Sequence, residues 1–278
     1  MSGISILGEP LIAPFGGTCD APLITVCMAV LVGVIVVFGH RTIKGRAARS
    51  LLTFTALEIL HWARLEMHVK SWALVGGKPM ESSSNTKAAL SLIASIGFPP
   101  EKVVIAEEDA MGGCEALLSE SIFNQALIVS RDTLKSSSGA ELAAILGHEL
   151  GHWKHSDNLW LGLIDSVFQM ATMGVAEVIL AAPDILYACG FQQEPIIAAW
   201  SLAEMGVSVV RGLLGPIELG MSQWMEFRAD AFSAELGYGR HLVEYLRNSS
   251  QGLPEMTWPF KIVQSTHPPM SERVARLM

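Results

Sequence analysis

His148-Glu149-Leu150-Gly151-His152 has the residue types and spacing of a metal-dependent hydrolase. Two histidines four positions apart project from one face of a helix, so both imidazoles can reach a single ion. A glutamate beside the first histidine then lies within reach of a water on that ion. Zinc lowers the pKa of such a water to about 7, and the carboxylate takes its proton as the water attacks a carbonyl carbon. A five-residue motif also arises by chance, so its setting decides its weight.

A zinc site with two histidines needs a third protein ligand. The other histidines are His40, His61, His68, His155, His241 and His267, and the acidic residues are eligible too. Glu226 is the best placed, in the run Glu226-Phe227-Arg228-Ala229-Asp230-Ala231-Phe232. Glu226 and Asp230 stand four apart and share a helix face. One carboxylate can bind the metal while the other accepts the free N–H of a ligand histidine and fixes its tautomer. Spacing alone equally allows a solvated acidic face partnered by Arg228 or Arg240. His155 shares the His148 side of the helix, but a third ligand two turns along would sit about 10 Å away. It reads instead as a polar residue at the helix end, where Lys154 and His155 suit the helix dipole.

The elements that must position these side chains are legible nearby. Ser138-Gly139-Ala140-Glu141 has the spacing of a capping box and starts a helix just upstream of the motif. Leu142, Leu146, Leu150 and Trp153 form one apolar stripe at helical period, with His148 and His152 on another face. Gly147 and Gly151 weaken that helix slightly but let a second element approach closely. A second helix is expected around Met225, Ala229 and Phe232. Lys102-Val103-Val104-Ile105 and Ala126-Leu127-Ile128-Val129 read as short strands. Met80 to Thr86, rich in Ser and Thr, reads as a flexible link. The domains expected are therefore a membrane or interfacial region over 1–80 and a peptidase domain over 81–278.

Three blocks together resemble the CaaX prenyl protease family, the membrane-embedded zinc endopeptidases of the Ste24 type. They are Leu146 to Lys154, Glu226 to Phe232, and His267-Pro268-Pro269 with Glu272-Arg273, preceded by Arg131-Asp132-Thr133-Leu134. The resemblance runs from about Ala88 to the C-terminus. It implies one zinc ion held by His148, His152 and Glu226, with Glu149 as general base. It also implies Asp230 beside the metal, His267 near the scissile carbonyl as oxyanion stabiliser, and Arg273 paired with carboxylates next to the metal. The implied fold is mainly α, a multi-pass membrane protein with a zincin-like domain containing a small β element. The implied substrates are the C-termini of prenylated proteins, losing the aaX tripeptide at the endoplasmic reticulum or nuclear envelope. The implied membrane helices enclose a water-filled chamber.

Composition fits a membrane protein. Half the residues are hydrophobic and only 17% are charged, against about 25% for a soluble domain. The net charge of −8 leaves no basic stripe for nucleic acid. Cys19, Cys27, Cys114 and Cys189 lack metal-like spacing and read as free thiols. Apolar runs at 21–38, 159–182 and 196–219 are long enough to span a bilayer. A fourth, Leu51 to Leu60, is short and interrupted by His61 and Arg64, and reads as interfacial, for three to four membrane helices in all. The runs 159–182 and 196–219 form a hairpin inserted into the peptidase domain. An even number of crossings thus separates His148 from Glu226, as a shared ion requires. Arg41, Lys44, Arg46 and Arg49 follow the first run, while Arg228, Arg240 and Arg247 follow the third. The 183–195 connection has no Lys or Arg. Positive charge marks the cytoplasmic side, so the zinc site belongs at that face. Asp165, Glu177, Glu204 and Arg211 lie in the later runs, where ionisable groups face a cavity or one another.

Two departures from the family stand out. Glu115-Ala116-Leu117-Leu118 replaces an Asn-Ala-aromatic strand, putting a carboxylate where an amide would position substrate. The chain also has room for fewer membrane helices than the family, so a partner chain could be needed to complete the chamber. Two other readings stay open: a general membrane quality-control protease resembling the HtpX type, and a non-catalytic membrane remnant. Lipid is a partner in all of them.

Overall fold

The computed structural model describes residues 78–107, 111, 114–192, 196–249, 257 and 265–278, with Gly45 and most of 52–63. The expected first span at 21–38 lies outside the described residues. The rest falls into two compact units. One takes in the described residues among 78–158 and 216–278, and the other those among 45–63 and 159–215.

The first unit is built on a four-stranded sheet. Strands β1 (Lys78–Pro79), β2 (Val103–Ala106), β3 (Ala116–Glu120) and β4 (Gln125–Ser130) lie in the order β1-β2-β4-β3. β2 and β4 are parallel, pairing Val104 with Ile128, while β3 folds back antiparallel on β4, pairing Leu118 with Leu127. β3 is therefore an edge strand. The two anticipated strands are present with bounds shifted by about a residue. β3 overlaps the Glu115–Leu118 stretch that the family resemblance aligns with a substrate strand, although its polar ends give no strand pattern of their own.

Helix α1 (Lys87–Ile96) ends at Gly97, whose φ of 81° closes the C-cap and turns Phe98 back under the helix. The 80–86 stretch is a bonded turn rather than a flexible link. The Thr86 hydroxyl donates to the Glu81 carbonyl at 2.7 Å and accepts from the Ser83 N–H at 2.8 Å, and Met80 is buried. Helix α2 (Arg131–Ser136) starts on the Ser130 cap and leads into α3 (Gly139–His155). Both halves of the expected capping box form: the Ser138 hydroxyl accepts from the Glu141 N–H, and the Glu141 carboxylate accepts from the Ser138 N–H at 2.8 Å. The Leu142, Leu146 and Leu150 stripe packs with Leu92, Ile93, Phe98, Leu127 and Val129 into the main core. That burial fixes the rotation of α3 and so the direction in which its histidines point.

Helices α4 (Asp157–Ala181), α5 (Pro183–Ala188) and α6 (Ile196–Glu235) follow, then α7 (Gly239–Ser249) and α8 (Met270–Leu277). The expected span at 196–219 and the expected helix around Glu226 are one continuous element, α6, with Pro216 inside it. The connection at 183–195 carries α5, whose Leu186 is buried against Ala199 and Ala203 in the second unit. α4 is about 37 Å long and α6 longer still, enough for a hydrocarbon layer of about 30 Å. Little of either helix is buried, and side chains such as Val178, Leu213 and Ile197 stand exposed, as a lipid-facing surface requires. Within the second unit Arg211 pairs with Asp165 at 2.6 Å and lies over the Phe168 ring. Glu204 accepts from the Thr172 hydroxyl at 3.1 Å.

Candidate active site

α3 and the last third of α6 meet at Gly151. A Cβ there would stand 2.7 Å from the Ala229 Cα, closer than atoms tolerate, so only glycine permits this approach. One turn earlier, a Cβ on Gly147 would meet the Ser233 hydroxyl at 3.1 Å, and that hydroxyl donates to the Ala144 carbonyl at 2.9 Å. The anticipated role of both glycines, close approach, is thus visible in the contact. It sets His148 and His152, which flank Gly151, against Glu226 and Asp230, which flank Ala229.

One ligand atom each from His148, His152 and Glu226 lies within 4.8 Å of the other two. His148 Nε2 is 3.5 Å from Glu226 Oε2, and His152 Nε2 is 3.5 Å from Glu226 Oε1. Zinc–ligand distances of about 2.0–2.1 Å place tetrahedral ligand atoms about 3.4 Å apart, so these spacings suit that ion. Glu226 Oε2 is buried without a hydrogen-bond partner. Arg273 offsets its charge from 3.5 Å without a hydrogen bond, so the atom's lone pairs remain available to a metal ion. The donor set therefore fits a zinc ion.

The ring nitrogens facing away from this point are both held. His148 Nδ1 lies 2.9 Å from Asp230 Oδ1, and His152 Nδ1 lies 2.8 Å from Asp157 Oδ2. Each carboxylate fixes a tautomer with Nε2 free for the ion. Asp157 was missed in the sequence. It follows Ser156, whose left-handed backbone (φ 54°) turns the chain between α3 and α4, and nothing in the sequence announced that turn. Asp157 is in turn paired with Arg228, whose guanidinium lies 4.2 Å from the Trp224 ring centroid. Arg273 grips Asp230 through two hydrogen bonds, at 2.6 and 2.8 Å, and stands 3.5 Å from Glu226 Oε2. Of the basic partners considered for an acidic face, Arg228 goes to Asp157 and Arg240 to Glu244.

Charge is concentrated here. Burial would raise the Glu226 and Asp230 carboxyls, yet histidine contacts hold Glu226, and Arg273 with His148 hold Asp230, well below the usual carboxylate range. Burial likewise opposes protonation of His152, but Asp157 and Glu226 outweigh it and push the imidazole up to about 10. The carboxylates favour protons on the imidazoles, and a metal would enter by displacing those protons.

Glu149 sits at the edge strand. Its Oε2 accepts the Leu118 N–H at 3.0 Å, and the Leu118 carbonyl accepts from Asn158 Nδ2 at 3.1 Å. The Ser130 N–H donates to the Glu115 carbonyl, so alternate residues Ala116, Leu118 and Glu120 turn their backbone groups away from β4. Glu115 itself is exposed, and partial burial of its carboxyl raises its pKa. His267 lies exposed at the rim, with Nδ1 2.9 Å from Glu226 Oε1. His155 stands apart, its ring edge toward Phe232. Cys114 and Cys189 are free thiols, and Cys19 and Cys27 lie outside the described residues.

An edge strand, a His-Glu-x-x-His helix and a glutamate-bearing helix packed against it define a metallopeptidase-type centre. Comparison with known proteins gives the family. Residues 82–278 match peptidase family M48, and the chain belongs to it. A CAAX prenyl protease 1 homolog of Oryza sativa subsp. japonica is 27% identical over 192 residues, covering 67% of this chain and 45% of that protein. The human CAAX prenyl protease 1 homolog is 29% identical over 142 residues, 49% of this chain and 30% of that one. The chain thus spans under half the length of these relatives. Protease HtpX of Idiomarina loihiensis is 27% identical over 278 residues, covering 90% of this chain and 95% of that protein. The crystal structure of S. mikatae Ste24p shares the fold, with a TM-score of 0.71 at 17% identity, over 94% of this chain and 67% of that one. The protein is thus a mainly helical, integral membrane member of a protease family.

Proposed function

We propose that this chain is a zinc endopeptidase that cleaves extended peptide segments at a membrane surface. The observation that carries the reading is the cage itself: three ligand atoms within 4.8 Å of one another, both outward ring nitrogens anchored, and a glutamate bridging to an edge strand. His148, His152 and Glu226 would hold the ion, Asp230 and Asp157 orient the rings, and Arg273 offsets the surplus negative charge. Bound there, zinc would supply Lewis acidity to a substrate carbonyl and a water. Glu149 would take that water's proton and pass it to the leaving amine. A peptide pairing with Ala116 and Glu120 would run past its carboxylate. His267, held at the rim through Nδ1, stands where its ring can approach the developing oxyanion.

For substrate, we favour prenylated C-termini, on the family blocks and the CAAX prenyl protease relatives. The basic residues that follow the spans support a cytoplasmic-facing centre, and the family resemblance supports the endoplasmic reticulum as its membrane. The match to Protease HtpX over nearly its whole length favours a second reading, general cleavage of membrane proteins. A prenylated CaaX peptide and its unprenylated twin, assayed with Glu149→Ala as control, separate these. Preferential cleavage of the prenylated peptide supports the first reading and equal cleavage the second. No cleavage of either, with zinc bound, points to the remnant and rejects both.

A further inference from the structure

Among the described residues of the first unit, the large apolar side chains left exposed lie almost all on α6 or at the terminal Met278. The exceptions are Ile122 and Phe123, 53% and 82% exposed, side by side at the tip of the β3–β4 hairpin. This tip is ordered rather than frayed. Ser121 and Asn124 close it with a backbone bond at 2.8 Å and two hydroxyl bonds at 3.0 and 3.1 Å. A rigid turn that presents a phenylalanine to solvent costs free energy unless something apolar receives it.

A chain of contacts places the hairpin stem at the membrane end of this unit. The Leu118 carbonyl is bound by Asn158, the residue before the apolar run of α4. Its neighbour Asp157 pairs with Arg228, which stacks on Trp224. Trp224 ends an exposed apolar row on α6 with Ile217 and Met221, spaced four and three apart. A tryptophan capped by an arginine where an apolar row ends marks the bilayer–water boundary. The tip lies four or five residues beyond Leu118, within about 17 Å of it along the strand. Beside it the Lys102 ammonium donates to the Asn124 amide oxygen at 3.2 Å. An apolar pair flanked by a lysine matches the boundary between acyl chains and anionic headgroups.

We infer that the Ile122–Phe123 tip is a lipid anchor, seated in the headgroup–acyl boundary, which holds the edge strand β3 at a fixed height over the membrane. The inference rests on α4 and α6 being bilayer helices and is independent of which substrate is cut. The test reads the tip directly. An environment-sensitive fluorescent amino acid is encoded at position 123, with the exposed Lys87 position as solvent control, and the full chain is placed in nanodiscs containing anionic lipid. Emission from position 123 should be blue-shifted, and lipids brominated near the ester end should quench it by about half, leaving position 87 unaffected. Water-like, unquenched emission at 123 overturns the inference. So does emission that shifts only on adding a substrate peptide, which would make the tip a peptide-docking element. The readout needs no turnover, so it succeeds or fails separately from the proposed activity.

Discussion

Replacing Gly151 with alanine tests whether the close approach of α3 and α6 is what builds the metal centre. The added Cβ would stand 2.7 Å from the Ala229 Cα and 3.1 Å from the Ala229 Cβ and carbonyl oxygen. Carbon atoms pack at about 3.5–4.0 Å, so the helices must part by about 1 Å or carry the overlap as strain. Metal–ligand distances tolerate only about 0.2 Å, and the two histidines and the glutamate lie on opposite sides of this contact. Overpacking of this kind costs about 1–3 kcal/mol, which corresponds to a zinc affinity weakened by about 5- to 150-fold. Zinc affinity is measured by competition with a chromophoric chelator in detergent, with circular dichroism confirming that the helices persist. Gly147→Ala is the internal control. Its Cβ would press on the Ser233 hydroxyl at 3.1 Å, a side-chain atom that can rotate away, so the loss should stay within a few-fold. A folded Gly151→Ala protein that binds zinc as tightly as the parent would refute the argument.

Three further outcomes are expected. Asp157→Ala should weaken zinc binding by about 10- to 100-fold by freeing the His152 ring, and unchanged affinity would show that ring to be held otherwise. Arg273→Met leaves Asp230 and Glu226 without their buried cation and should cost about 3–5 kcal/mol in the zinc-free protein. Thermal unfolding should show zinc recovering part of that loss, and a melting temperature equal to the parent's without zinc would contradict the pairing. Glu120 is pushed up to about 7 by burial and then by Asp157, so folding is penalised increasingly as pH rises from about 4.5, and fully above about 7. After allowance for solvent screening of this partly exposed group, the cost is about 1–2 kcal/mol. Glu120→Gln should therefore raise the melting temperature at pH 8 and leave it unchanged at pH 5. An equal gain at both values would rule out titration of Glu120 as the cause.

The residues that bind within one turn of helix were legible; those that meet across a turn or a sheet were not. Ser138 and Glu141 announced the start of α3 because a capping box is local chemistry, and the Leu142–Leu150 stripe fixed its buried face. His148 and His152 followed from helical spacing, while the four-residue spacing of Glu226 and Asp230 left the third ligand open and the family resemblance singled out Glu226. Asp157 escaped because its role depends on the reversed backbone at Ser156. Asn158 and Leu118 escaped because an amide and a main-chain group carry no pattern. α6 reads as two elements because its apolar run ends at Leu219, short of the mixed polar block around Glu226. In the structure the helix continues from one into the other. The 183–195 connection hid α5, too short for its periodicity to register.

The first unit is interleaved: its described residues up to Asn158 and those from Pro216 onward are separated in the chain by Leu159–Gly215. At a synthesis rate of about 5–20 residues per second, His152 is made about 4–15 seconds before Glu226. Throughout that interval the groove beside Gly147 and Gly151 has no helix to fill it, and the histidine pair lacks its third ligand. The cage can close only after the intervening helices have been placed. A chain in which just one of them crossed the bilayer would strand Glu226 on the far side from His148. Zinc retention would then act as a proofreading signal for membrane insertion, marking as finished only those molecules whose hairpin has returned the chain to the side it left.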